Sequence, residues 1–130
     1  AFIGDYAVVF ARTDHIWNTV KPKWFSRKNR MYATAYVYKI TDLSTKRPSL
    51  VNTWKGKGHI DATIEYKNRI YGANQYLGTI DVFDLSPKGR IELDHRIEGF
   101  GMPHGLDIKD GKVYVTDYLD QVLKVFDLDI

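Results

Sequence analysis

Two segments of this chain repeat each other. IYGANQYLGTIDVFDL (Ile70 to Leu85) and VYVTDYLDQVLKVFDL (Val113 to Leu128) align without a gap, 43 residues apart (113 − 70), and both end in Val-Phe-Asp-Leu. Further upstream, Asn29-Arg30-Met31-Tyr32 matches Asn68-Arg69-Ile70-Tyr71 at a spacing of 39 (68 − 29). Its continuation VYKITDL matches TIDVFDL once the intervening hairpin is shortened. Self-similarity at a period of about 40 residues is the sequence mark of a repeat architecture. Within each unit Val, Ile, Tyr and Phe alternate with polar residues, and Asp-Gly or Asn-Arg pairs separate the runs, which is the pattern of short strands joined by tight turns.

The middle unit divides into four strands: IDATIEY, RIYGANQ, TIDVFDL and RIELDHRIE. Several short strands per repeat of this length predict an all-β protein, a β-propeller of four-stranded antiparallel blades with about three blades in this chain. A meander or sandwich with accidental internal similarity is the competing architecture. The expected organisation is one domain over residues 1–130, with blades at approximately 15–58, 59–103 and 104–130. The last unit lacks a fourth strand, and residues 1–14 are expected to supply it. Closed propellers have about four to eight blades, so three require completion of the ring by dimerisation or by sequence outside this chain.

With 44% hydrophobic residues in 130, the chain has material for a core and is too apolar for a disordered segment. Absence of cysteine excludes disulfides and thiolate metal sites but leaves the compartment open. A net charge of +3 is small and does not favour nucleic acid. No run approaches the roughly 18 apolar residues of a membrane span, and the opening AFIGDYAVVF has no basic n-region of a secretory signal, so a soluble chain is expected. There is no Gly-x-Ser-x-Gly elbow, phosphate-binding loop or dinucleotide fingerprint.

Three of four histidines fall at regular intervals: His15, His59 and His104, spaced by 44 (59 − 15) and 45 (104 − 59). Each is expected to open the first strand of a blade, at the mouth of a central channel. Imidazole there can ligate a divalent metal, zinc in preference to calcium, or act as a general base. His15, His59 and His104 are the candidate metal ligands, with His104 and His59 nearest the chemistry. The alternative is that each histidine caps its strand. His95 reads as an ordinary strand residue, and Asp107, Asp110 and Asp117 as turn and strand-end residues.

The segments PHGLD (Pro103 to Asp107) and IDATIEYKNRIYGANQY (Ile60 to Tyr76) resemble the six-bladed propellers of the paraoxonase, gluconolactonase and strictosidine-synthase-like group, and more loosely NHL repeats. The resemblance covers roughly Gly58 to Leu128. It implies a hydrolase of the lactonase or esterase type, or a lyase, acting on a small substrate, with His104 at the active site. The family holds calcium with side-chain oxygens at the starts of the inner strands. Here His59-Ile60 stands where the family places Asn, with Asp61 retained beside it, which argues against a calcium site of that type.

A second candidate surface is KPKWFSRKNR (Lys21 to Arg30), expected as a loop between the first two strands of the first blade. Lys21, Lys23, Arg27 and Lys28 around Trp24 suit an anionic partner. The chain is therefore either a channel-site enzyme or a non-catalytic module binding a protein, glycan or nucleic acid.

Overall fold

The computed structural model describes residues 1–12, 32–40 and 48–128. They form eleven strands: β1 (Phe2–Ile3), β2 (Tyr6–Arg12), β3 (Tyr32–Lys39), β4 (Ser49–Lys57), β5 (Ile60–Tyr66), β6 (Arg69–Asn74), β7 (Thr79–Leu85), β8 (Ile91–Glu98), β9 (Pro103–Lys109), β10 (Lys112–Asp117) and β11 (Val122–Asp127). All belong to three antiparallel sheets in which neighbours in the chain are neighbours in space. The first is β1-β2-β3-β4, the middle β5-β6-β7-β8, and the last β9-β10-β11. Among the described residues no helix is long and apolar enough to cross a membrane.

The sheets stack in chain order. One core joins the first sheet (Val8, Ala33, Ala35, Val37) to the middle sheet (Ile60, Ile70, Phe83, Ile91). A second joins the other face of the middle sheet (Tyr71, Ala73, Ile80, Val82) to Val113 and Val115 of the last. The middle sheet is thus covered on both sides. This explains why β6 is buried almost throughout while β11 alternates between exposed and half-buried positions. A strand with two buried faces has no polar face to alternate with. Phe83 is fully buried, packed edge-on against Trp54 at 4.8 Å and tilted against Phe10 at 5.2 Å. Burying such a ring contributes up to about 3 kcal/mol. Polar contacts reinforce this interface: the Ile91 N–H donates to Asn52 Oδ1 at 3.0 Å, and the Tyr6 hydroxyl donates to the Pro87 carbonyl at 3.0 Å.

The three sheets share one register. Val8 pairs with Val37, Tyr71 with Val82 and Tyr114 with Val125; one step away Ala7 pairs with Tyr38, Ile70 with Phe83 and Val113 with Phe126. Irregularities between the third and fourth strands fall at matching places, between Val37 and Tyr38 and between Val82 and Phe83. Tight two-residue turns close β5-β6 and β9-β10. Lys67 and Asn68 have φ of 51° and 63°, Asp110 and Gly111 of 52° and 73°, the doubly left-handed form that matches strand twist. The turn read from sequence as Asn68-Arg69 is therefore Lys67-Asn68, one residue earlier.

Two sequence expectations are corrected. Residues 1–14 were expected beside the last unit. Instead β2 is hydrogen-bonded to β3 over its whole length and is the second strand of the first sheet, while β11 pairs only with β10 among the described residues. The first sheet therefore spans 2–57 in place of 15–58, and Tyr32 opens a third strand, not a second. The reason is that the match rests on residue type and alternation, and alternation alone does not distinguish a second strand from a third.

Candidate functional site

At one end of the middle and last sheets, buried polar side chains pin the entering chain to a hairpin turn. Asn74, fully buried at the end of β6, uses its whole hydrogen-bonding capacity. Oδ1 accepts the N–H groups of His59 and Leu77, each at 3.2 Å; Nδ2 donates to the Lys57 carbonyl and to Asp81 Oδ2, each at 3.0 Å. The segment passes so close that Gly58, at φ 104°, would place a Cβ 2.1 Å from Asn74 Oδ1. Asp81, also fully buried, further accepts the Thr79 hydroxyl at 2.5 Å and faces Arg96 Nε at 3.2 Å.

The last sheet repeats this device with an anion and a cation in place of a neutral amide and an anion. Asp117 stands where Asn74 stands, at the end of β10, and Lys124 where Asp81 stands. Asp117 Oδ1 accepts the Met102 N–H at 3.0 Å and the Asp120 N–H at 3.2 Å. Its Oδ2 accepts the Gly101 N–H at 2.8 Å and faces Lys124 Nζ at 2.9 Å. Burial opposes ionisation of Asp117, but the hydrogen bonds from Met102, Lys124, Gly101 and Asp120 outweigh it and hold the carboxyl well below the usual carboxylate range.

These pins fix the ends of β5 and β9, and with them a cluster that spans the two sheets. His104 Nδ1 lies 2.8 Å from Asp61 Oδ2 and 2.7 Å from Gln75 Nε2, and Gln75 Nε2 donates to the same Asp61 oxygen at 3.1 Å. With its proton on Nδ1, His104 donates to Asp61; with Nδ1 bare, it accepts from Gln75. Either way Nδ1 is engaged by protein and Nε2 is the nitrogen left for other partners. His104 lines two grooves. One, of about 340 Å³, is shared with Thr116, Tyr118, Gln121 and Leu123; the other, of about 210 Å³, with Gln75, Met102 and Tyr118.

Of the residues singled out from sequence, His104 is in this cluster. His59 serves the neighbouring turn: its N–H donates to Asn74, its carbonyl accepts the Gln75 N–H, and its ring lies 6.0 Å from that of Tyr76. His15 falls outside the described residues. Among the described residues no group of three or more His, Asp or Glu side chains is placed to hold a metal. Lys21, Lys23, Trp24, Arg27 and Lys28 also lie outside the described residues. His95 sits on β8 beside Asp94, and Asp110 is a turn residue, as read from sequence.

Sequence reasoning missed Gln75 and the structural weight of Asp117, and noted Asp61 only as a neighbour of His59. The ungapped alignment carried the signal for Asp117, since it sets Asp117 against Asn74 and Lys124 against Asp81. No protein-family model matches the chain, and no curated protein matches it either.

Proposed function

We propose that the three sheets are consecutive blades of a β-propeller and that the end carrying His104 is a hydrolytic site for a small lactone or ester. The observation that carries the reading is the His104–Asp61 contact at the mouth of two grooves. A carboxylate accepting the Nδ1 proton fixes the tautomer and orients the ring, so Nε2 can act as a general base. His104 Nε2 takes a proton from water as the water oxygen bonds to the carbonyl carbon. The acyl C–O bond then breaks, and the proton passes to the leaving alkoxide. The pair itself is exposed and adds little to stability, about 0–1 kcal/mol. A shared register, repeated bulges and sheet-on-sheet packing support the propeller part. Zinc at this end remains part of the proposal only through His15, which would have to join His59 and His104.

A non-catalytic binding module is the second reading, favoured by the exposure of Tyr118 (71%) and Leu119 (66%) beside the same grooves. Initial rates on a panel of lactones and aryl esters separate the two. His104→Ala is expected to lower kcat by about 10²–10⁴, the usual contribution of general base catalysis. Unchanged rates in that variant, or no turnover of any panel member by the parent, would leave the module.

A further inference from the structure

The shared register assigns each apolar side chain to one of two faces. In the middle sheet, the face carrying Ile70, Phe83 and Leu93 packs on the first sheet, and the face carrying Tyr71, Ala73, Ile80 and Val82 is covered by the last. The last sheet has a second face of its own. Position for position it is Tyr114, Thr116, Leu123 and Val125. Ile80 and Val82 are 0% exposed, whereas their counterparts Leu123 and Val125 are 60% and 48% exposed. The first sheet shows the complementary situation. Tyr38 and Leu50, paired with each other, stand where Phe83 and Leu93 stand in the middle sheet. Leu50 is 52% exposed, and Val9 (51%) and Phe2 (72%) are exposed with it on the same face.

Resting on the propeller reading above, we infer that the occupant of both faces is a second copy of this chain. The first sheet of each copy covers the last sheet of the other. The interface is a continuation of one that already occurs twice within the chain, first sheet against middle and middle against last, and the chain carries both of its halves. Applied again between copies, the same stacking produces two equivalent contacts and a closed ring of six sheets, within the range of about four to eight that propellers close with. The contact is head-to-tail: the surface around Val125 meets the surface around Leu50, never itself. Because Leu123 and Thr116 line the larger groove, the second copy also forms part of the wall around His104.

Light scattering on the full chain tests this. The expected mass is twice 15.1 kDa. Val125→Asp and Leu50→Lys, each exposed in a single chain, should each give the mass of one chain while keeping the β-sheet circular dichroism of the parent. An equimolar mixture of the two variants should return to the mass of two chains, because one of its two contacts is wild-type on both sides and the other sets Lys against Asp. A parent with the mass of one chain at about 100 μM, variants that still pair, or a mixture that stays at single-chain mass would each overturn the inference. So would a mass that keeps rising with concentration, which signals open stacking without closure. Hydrolysis by the parent does not enter these readouts, so failure of the association and failure of the proposed chemistry are separately visible.

Discussion

Asp117→Asn tests how the entry to the last sheet is held. Asp117 is 1% exposed and accepts four hydrogen bonds, two on each oxygen. An asparagine in the same rotamer keeps an oxygen towards Met102 and Asp120 but turns an amide N–H₂ towards the Gly101 N–H and Lys124 Nζ. Donor then faces donor. Two charge-assisted hydrogen bonds are lost, at about 1.5–3 kcal/mol each, and the Gly101 N–H is left without a partner. Asn removes a buried charge, which offsets part of the loss, so the net cost at neutral pH is about 3 kcal/mol.

The cost must also depend on pH. Since the folded-state carboxyl lies below its ordinary value of 3.8, the stabilisation is complete above that value and is lost as pH falls towards the lower folded value. Urea unfolding at pH 7 and at pH 3 should therefore find the gap between parent and variant narrowing in acid. Adding Lys124→Asp to Asp117→Asn copies the Asn74–Asp81 arrangement of the middle sheet, and should recover about 1 kcal/mol of the loss. A deficit below about 1 kcal/mol at pH 7, or a deficit unchanged at pH 3, would refute the account of these four bonds.

Asn74→Ala strands the N–H groups of His59 and Leu77 and removes the donor to Asp81, so urea denaturation should give a loss of about 3 kcal/mol. Gly58→Ala, at φ 104° and with its Cβ directed onto Asn74 Oδ1, should lose at least about 2 kcal/mol by the same assay. Phe83→Ala empties the space between Phe10 and Trp54 and should lower stability by about 3–5 kcal/mol, with a matching fall in the thermal midpoint. If the hydrolytic reading is right, Asp61→Asn should reduce kcat by about 10–100-fold with little change in KM, because the residue positions His104 without touching substrate.

Much of the strand content was legible locally. The expected strands IDATIEY and TIDVFDL coincide with β5 and β7, and the second and fourth runs differ from β6 and β8 by one residue each. Period-two alternation and turn residues suffice for that, because both are set by neighbours along the chain.

Pairing was legible in the middle sheet, whose four strands pair in chain order as expected, but not in the first. Only the fold placed β2 against β3 across a connection of 19 residues (13 to 31), because hydrogen bonding between strands depends on which backbone edges meet and not on side-chain alternation. The polar pins escaped for a related reason. Asn74 with Asp81 and Asp117 with Lys124 look like unrelated residues in the sequence, and they become one device only when the shared register places each pair across adjoining strands at a buried sheet end. The candidate site is the clearest case. His104, Asp61 and Gln75 come from β9, β5 and the turn after β6, and their contacts exist because the last sheet packs on the middle one with the starts of β5 and β9 side by side. Spacing along the chain selected the histidines. Sheet packing decided which of them meets a carboxylate, since a side-chain contact at 2.8 Å requires two backbones to be held in fixed positions by the core beneath them.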